Sequence, residues 1–136
     1  MFTAETQIRV RYGETDQMGI VYYGNYASYY EVARVECMRA FGLSYSELEE
    51  KGFMLPVLEN YSKYLGPAKY DELLTIKVSI REMPKVRIAF HCDIYNEKNE
   101  LINQGKTILV FVDKETRKPC RIPEQMEMLL SKYFNE

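Results

Sequence analysis

Tryptophan is absent from this 136-residue chain, and histidine occurs only once, as His91. Cysteine is scarce as well, because the chain has only Cys37, Cys92 and Cys120, which are far apart. An odd, widely spaced set of three argues against a disulfide framework, and one histidine is too few to complete a Cys/His zinc site. We therefore expect free thiols and no metal ion.

Long apolar runs and a strong net charge are also missing. No run approaches the roughly 20 apolar residues that a membrane-spanning helix needs, so no membrane span is expected. The N-terminus has no basic region followed by an apolar stretch, which predicts a cytoplasmic protein without a signal peptide. The net charge of -2 gives no reason to expect nucleic-acid binding. The glycine patterns of phosphate-binding and dinucleotide-binding loops are absent too.

What remains is the composition of one globular domain, with 46% hydrophobic and 28% charged residues, which we place at residues 1–136. Tyrosine is abundant, with 12 residues. A tyrosine buries a large ring and keeps a polar tip, which suits pockets and interfaces. The N-terminal quarter of the chain is especially rich in it, at Tyr12, Tyr22, Tyr23, Tyr26, Tyr29 and Tyr30.

The spacing of apolar residues predicts a strand, a long helix and four more strands. The helix is predicted at residues 25–41, with Gly42 as its C-cap. Its apolar surface extends nearly all round, which is typical of a helix buried on more than one side. The predicted strands are residues 7–12, 53–64, 74–81, 86–95 and 101–113.

The connections complete this prediction. Ser44 and Glu47 have the spacing of a capping box for a short second helix, and Pro123 opens a terminal one. Pro56 indicates an edge or a bulge within its strand. Short turns between most strands favour an antiparallel sheet, so the chain is predicted to be an α+β domain with the long helix lying on five strands.

One carboxylate, Asp16, lies a few residues before the long helix. The first turn of a helix has N–H groups without intrahelical partners and a positive dipole end. A carboxylate near such donors can attack a carbonyl or activate water while the N–H groups hold the oxyanion. Gly19 and Gly24 permit close approach to a ligand, and the aromatic residues offer a dry wall. The competing interpretation is that Asp16 only satisfies nearby backbone N–H groups.

Two other residues allow alternative interpretations. Glu31 is either a carboxylate at the solvent edge of the helix, or one paired with Arg34, or a second active-site acid. His91 falls on the polar face of a strand, where an ordinary surface residue is expected. Because no serine or cysteine nucleophile pattern accompanies it, no catalytic triad is predicted.

Residues 15–26, Thr-Asp-Gln-Met-Gly-Ile-Val-Tyr-Tyr-Gly-Asn-Tyr, resemble the hotdog-fold acyl-CoA thioesterases, and most closely the 4-hydroxybenzoyl-CoA thioesterase/YbgC-like branch. Glu31 and Arg34 are part of the resemblance, and segments 64–71 and 105–113 are similar to later family segments in the same order. The resemblance implies a curved five-stranded antiparallel sheet wrapped around one long central helix. It also implies a homodimer or homotetramer with the active site at the subunit interface.

The resemblance further implies roles for individual residues. The family's catalytic carboxylate falls on Asp16, and its backbone oxyanion donor falls on Tyr23 or Gly24. Many members of this branch have a histidine where this chain has Tyr23. A tyrosine titrates near about 10 and is a poor base, but its backbone N–H is unaffected by the exchange. No metal or bound redox cofactor is implied.

The implied substrate is an acyl-CoA or an acyl carrier protein thioester, with its pantetheine arm along the subunit interface. Aromatic wall residues are expected to contact it, and the nucleotide phosphates are expected on basic surface residues. The candidate binding residues are Tyr22, Tyr26, Lys63, Lys69, Lys85 and Arg87.

The predicted function is therefore hydrolysis of such a thioester to free acid and thiol. The alternative is a non-catalytic acyl-thioester-binding hotdog protein, because Tyr23 replaces the common histidine. A hotdog hydratase fits less well, since those sites pair an acid with an interface histidine and the only one here, His91, comes late in the chain. The identity of the acyl group and the choice between dimer and tetramer stay open.

Overall fold

A computed structural model describes residues 1–134. Residues 135 and 136 of the predicted domain 1–136 lie outside the described part. Two short 3-10 turns, Tyr12–Glu14 and Tyr23–Asn25, lie between the first strand and the long helix. The helices are α1 Tyr26–Phe41, α2 Tyr45–Glu50 and α3 Glu124–Ser131; the strands are β1 Phe2–Arg9, β2 Phe53–Met54, β3 Val57–Tyr64, β4 Leu73–Ile80, β5 Arg87–Tyr95, β6 Leu101–Val110 and β7 Val112–Asp113.

The main sheet has five strands in the order β1-β4-β5-β6-β3, and every neighbouring pair is antiparallel. Strict alternation along β4 and β5 gives the sheet one apolar face, which includes Ile76, Val78, Ile88, Phe90 and Ile94. Helix α1 packs against this face. The prediction of one long helix lying on a five-stranded antiparallel sheet is therefore confirmed.

Helix α1 buries one face and leaves another open. It ends at Gly42, whose φ of 109° is left-handed and whose N–H donates to the carbonyls of Met38 and Arg39. Val32 lies on the open side and is 44% exposed. The expectation of burial on more than one side is thus not met within a single chain.

Three predicted strand boundaries are wrong. The first strand is Phe2–Arg9 rather than 7–12, because pairing with β4 along its full length includes the polar residues at its start. Segment 53–64 divides at Pro56, which has no N–H to donate. Segment 101–113 divides at Phe111, whose N–H turns to the carbonyl of Val86, and the two short pieces β2 and β7 pair with each other.

A buried polar cluster fixes α1 against β3 and β6. The Tyr30 hydroxyl hydrogen-bonds Ser62 Oγ at 2.6 Å and also donates to Asn103 Oδ1. Its ring crosses Gly105 so closely that a Cβ there would overlap it. This contact sets the position of α1 over the sheet, and with it the position of the segment that leads into the helix. Within residues 1–134, no helix has the length and apolarity to cross a membrane.

Candidate active site

The segment before α1 folds into two tight turns that present Asp16. Asp16 N–H donates to the Ile20 carbonyl, and the Asp16 carbonyl accepts from Gly19 N–H, whose residue has a φ of 77°. Ile20 in turn forms an antiparallel bridge with Lys69, in the loop that follows β3. Glycine adopts the left-handed conformation at little steric cost, so Gly19 allows this turn to close.

The Asp16 carboxylate keeps most of its hydrogen-bonding capacity. Its Oδ1 accepts one hydrogen bond, from Met18 N–H at 2.9 Å, and we find no other donor to it within residues 1–134. A carboxylate offers about four acceptor positions. The capping role considered for Asp16 is therefore real, but it is compatible with a chemical role.

Asp16 lines an open cleft of about 380 Å³ with Tyr23, Tyr26, Tyr64 and Pro67 among the other lining residues. The Tyr64 ring centroid lies 6.3 Å from that of Tyr23 and 5.5 Å from that of Tyr26, with edge-to-face geometry in both pairs. Burial raises the pKa of Tyr26 to about 12, so its hydroxyl remains protonated at neutral pH. The cleft therefore combines one carboxylate with a largely aromatic wall.

Two free backbone donors belong to Tyr23, which lines this cleft, and to Gly24, which follows it in the chain. In the 3-10 turn Tyr23–Asn25, the first hydrogen bonds run from Asn25 N–H to the Tyr22 carbonyl and from Tyr26 N–H to the Tyr23 carbonyl. The N–H groups of Tyr23 and Gly24 have no acceptor within the described chain, as is usual for the first residues of a helical turn. The free donors thus belong to the 3-10 turn rather than to α1 itself.

The carboxylate of Glu14 holds this segment to α1. It accepts hydrogen bonds from Arg11 N–H at 2.9 Å, from the Arg11 guanidinium at 2.7 Å and from the Tyr29 hydroxyl at 2.9 Å. Burial alone would raise the pKa of Glu14, but these hydrogen bonds outweigh it and the pKa is lowered. Asn25 Nδ2 donates to the Glu14 carbonyl as well. Glu14 was not among the residues predicted from the sequence, although the i, i+3 spacing of Arg11 and Glu14 was a usable signal.

The structure brings only some of the predicted site residues together. Asp16, Tyr23 and Tyr26 share the cleft, and the Tyr22 ring packs against that of Tyr23 at a tilt of 42°, with ring centroids 4.5 Å apart. Gly24 follows directly in the 3-10 turn.

The predicted basic residues are spread more widely. Lys69 lies beyond the turn at Gly66 and Pro67, in a neighbouring cavity. Lys63 lines a shallow cavity with His91 on the sheet face away from α1. Arg87 is exposed at the start of β5. One chain therefore does not bring Lys63 or Arg87 to the cleft.

A second cavity, of about 310 Å³, flanks the C-terminal half of α1. Its walls include Phe90, Tyr45 and Leu55, and its charged residues are Glu31 and Arg34. Burial lowers the pKa of Arg34 against the opposing effect of Glu31. The two side chains form no ion pair with each other, and the Arg34 guanidinium has no hydrogen-bond partner within residues 1–134. Of the alternatives for Glu31, the pairing with Arg34 is therefore not observed, whereas its exposure agrees with a position at the solvent edge of the helix.

Comparison with known proteins identifies the family. The profile of the thioesterase-like superfamily matches residues 10–130. The chain belongs to this superfamily. The protein named "Putative acyl-CoA thioesterase YneP", from Bacillus subtilis, is 36% identical over 121 residues, which are 89% of this chain and 88% of that protein. The acyl-CoA thioester hydrolase YbgC of Escherichia coli is 32% identical over 119 residues, which are 88% and 89% of the two chains.

The superfamily assignment agrees with a solved structure. A crystal structure of a DHNA-CoA thioesterase from Staphylococcus aureus superposes on this chain with a TM-score of 0.93 and 34% identity, covering 98% of this chain and 92% of that one. These relatives confirm the hotdog fold and the resemblance drawn from residues 15–26. They also confirm the prediction that the chain is an enzyme of the thioester hydrolase class.

Proposed function

We propose that this thioesterase-like protein hydrolyses acyl-CoA thioesters, with Asp16 as the catalytic carboxylate. The observation that carries the proposal is a carboxylate with one hydrogen bond in a cleft that Tyr23 also lines, where neither Tyr23 N–H nor the next N–H, that of Gly24, has an acceptor within residues 1–134. Acyl-CoA is the substrate named for the YneP and YbgC relatives, and an acyl carrier protein thioester presents the same reacting group.

In the proposed reaction, the thioester carbonyl oxygen accepts hydrogen bonds from Tyr23 N–H and Gly24 N–H. Asp16 either attacks the carbonyl carbon, giving a mixed anhydride that water cleaves, or removes a proton from the water that attacks. In both routes the thiolate leaves and takes up a proton, and the acid is released. One oxyanion donor contributes about 10²- to 10³-fold in rate.

Neither route needs a histidine side chain or a cofactor. Tyr23 contributes through its backbone, so the exchange of the family's common histidine for tyrosine leaves the oxyanion donors in place. The carboxylate, the two N–H donors and water supply every group that hydrolysis requires, and we propose no metal or redox cofactor. Tyr22 and Tyr26 are proposed as walls for the acyl and pantetheine parts.

A second copy of this chain is the proposed partner, because β3 is an unprotected edge strand. Seven of its eight residues are exposed, and Val57, Leu58, Tyr61 and Tyr64 are each 47–54% exposed. The exposed residues of the opposite edge, β1, are instead all polar or charged: Thr3, Glu5, Gln7 and Arg9. Unpaired apolar edges readily pair with another chain. We propose a homodimer in which two β3 strands pair antiparallel, and two such dimers would give the tetramer.

Lys63 and Arg87 are retained as proposed phosphate contacts only in such an assembly. Lys69 lies closer, since the cavity beside it shares Gly66 and Pro67 with the Asp16 cleft. The cytoplasm is the proposed location, and the free, buried thiols of Cys37 and Cys92 suit a reducing compartment.

The test of the function is thiol release from a panel of acyl-CoA substrates that spans chain length and aromatic groups. We expect turnover by the natural chain and none above background by Asp16→Asn, which still binds the substrate. Asp71→Asn is the matched control, because Asp71 is exposed and asparagine tolerates its φ of 69°. Binding without thiol release by the natural chain, for every substrate, would establish the non-catalytic alternative.

The proposed dimer is tested by Leu58→Lys, which places a charge on the β3 edge. We expect a shift from dimer to monomer in light scattering, with loss of turnover. Met128→Lys adds the same charge at an exposed position of α3 and should change neither the oligomeric state nor turnover. A dimer that survives Leu58→Lys unchanged would rule out the β3 interface.

A further inference from the structure

We infer that the face of the sheet away from α1 carries a phosphate-binding site, formed by Arg81, His91 and Lys106. The ligand is a compound with a phosphate group, whether a free phosphate compound or the nucleotide end of CoA. The site is the shallow cavity on that face, which the proposed reaction does not use. The inference needs no turnover at Asp16, so it stands without the proposed hydrolysis.

The three side chains line one cavity because neighbouring strands place them side by side. Lys106 of β6 is directly opposite His91 of β5, and His91 is directly opposite Ser79 of β4. Arg81 comes directly after β4, and its Nε donates to Ser79 Oγ at 3.3 Å. The cavity has a volume of about 230 Å³. One water molecule occupies about 30 Å³ in the liquid, so the cavity is large enough for a phosphate group.

Positive charge is locally in excess here, although the net charge of the chain is -2. The described lining includes Lys63, Arg81 and Lys106, whereas Asp93 is its one acidic residue. None of the three cations forms an ion pair within residues 1–134, and Asp93 Oδ1 accepts from Gln104 Nε2 at 3.4 Å. The positive charges of the cavity therefore lack matching carboxylates in the part of the chain that the structure describes.

His91 responds to this excess of charge. Burial lowers the pKa of its imidazole, and the nearby Arg81 and Lys106 lower it further, against the weaker opposing effects of Asp93 and Glu82. Like charges directly opposite each other in a sheet are destabilising, so a protonated His91 beside Lys106 has a cost. A bound anion offsets that cost, and even the neutral imidazole can donate one N–H to it.

The donor set matches a phosphate group better than a carboxylate. A guanidinium binds phosphate oxygens through two parallel N–H groups, and an ammonium binds them as a point charge. Together with the His91 imidazole, the cavity therefore offers donors from three side chains. A phosphate group presents three acceptor oxygens and a charge of up to about -2, whereas a carboxylate has two oxygens and one charge. A phosphate can thus satisfy all three side chains at once.

The first experiment uses His91 as the probe, because it is the only histidine of the chain and gives one set of imidazole resonances in NMR. The natural chain is titrated with inorganic phosphate, ADP or CoA, and with chloride at the same ionic strength as the control. We expect a saturable shift of the His91 resonances and a raised pKa of His91, since a nearby anion favours the protonated imidazole.

The three ligands distinguish the two sources of the phosphate group. Saturation by inorganic phosphate or ADP assigns the site to free phosphate compounds, and saturation by CoA alone assigns it to the nucleotide end of CoA. If no ligand gives a saturable shift, or if chloride gives the same shift, the inference is wrong.

The second experiment repeats the titration with Arg81→Gln and Lys106→Gln. We expect Kd to rise about 10-fold or more in each, as for loss of a hydrogen bond between charged groups. Lys77→Gln is the matched control, because it removes the same charge from the same face of the sheet but outside the cavity. Its Kd should change less than about threefold, since exposed charges that do not touch the ligand are screened.

An equal loss in Lys77→Gln would show only a general attraction to the positive face of the sheet, and it would overturn the site. All of these measurements report binding and need no turnover. Failure of the natural chain to release thiol from any substrate would therefore refute the proposed function and leave the phosphate site in place.

Discussion

Two adjacent turns before α1 use their carboxylates in opposite ways. In the turn Arg11–Glu14, the Glu14 carboxylate accepts hydrogen bonds from the Arg11 backbone, the Arg11 guanidinium and Tyr29. In the turn Asp16–Gly19, the Asp16 carboxylate accepts one from the part of the chain that the structure describes, from Met18 N–H. The carboxylate with many partners holds the segment in place, whereas the one with few is available to a substrate. The difference teaches that the neighbour of the carboxylate we propose as catalytic can be the residue that positions it.

The largest effect that this comparison predicts is the loss of turnover in Asp16→Asn. The asparagine Oδ1 can still accept from Met18 N–H, so the turn is kept while the charge and the nucleophile are lost. We expect kcat to fall by about 10³-fold or more, with the free energy of unfolding within about 1 kcal/mol of the natural chain. The time course of thiol release measures kcat, and urea unfolding measures the free energy of unfolding. A strong loss of stability would show that Asp16 is mainly structural.

Glu14→Gln should instead lower stability strongly and turnover only moderately. It removes the charge from four hydrogen bonds, and we expect a loss of about 2 kcal/mol in the free energy of unfolding. Because the segment that holds Asp16 loosens, kcat should fall by about 10-fold. Glu49→Gln, on the exposed side of α2, is the control for loss of an acidic charge. A Glu14 variant with natural stability would remove the distinction between the two turns.

The stability of the chain in acid sharpens the same comparison. The pKa of Glu14 is lowered in the folded state. The stability that the ionised Glu14 contributes is therefore fully present above the pKa of the unfolded chain, about 4.3. It is lost as the pH falls through the pKa of the folded state. We expect the free energy of unfolding to decrease between about pH 5 and pH 3, which is roughly the range around that pKa. Urea unfolding at each pH measures it. Glu14→Gln should show a shallower decrease, and an identical pH profile would contradict the assignment.

Tyr29→Phe is expected to give the smallest effect. It removes only the hydroxyl that donates to Glu14 and leaves the buried ring in place, at a cost of about 1 kcal/mol. Tyr95→Phe, which alters a half-exposed tyrosine on the sheet face away from α1, should cost less. Thermal unfolding of the two variants, side by side, provides the measurement. If Tyr95→Phe proves the more costly, the link between Tyr29 and Glu14 is unimportant.

Much of the fold was predictable because its signals are local. Alternation along β4 and β5 follows from the two-residue period of a strand, and Gly42 and Ser44 mark helix ends through backbone chemistry that neighbouring residues supply. The strand boundaries were not predictable to the same degree. Whether a polar stretch such as the start of β1 forms a strand depends on a partner that is about 70 residues away.

The site shows the same division. The motif around Asp16 was visible in the sequence, and the structure adds that Tyr64 and Pro67 close the other side of the cleft. Glu14 was overlooked because its importance lies in Tyr29, on a different element. The separation of Lys63 and Arg87 from the cleft depends on which face of the sheet each residue occupies, and this follows from register rather than from charge.

The sequence by itself determined the class of fold, the family and the residue that we propose as catalytic, because periodicity, caps and a twelve-residue motif are properties of neighbouring residues. Only the tertiary structure decided which carboxylate has many hydrogen-bond partners and which has few. It also decided that Arg34 faces a cavity with no partner among residues 1–134, and that β3 is an apolar edge of the described sheet. Those properties depend on distances between elements that are remote in the chain, and no local pattern encodes such distances.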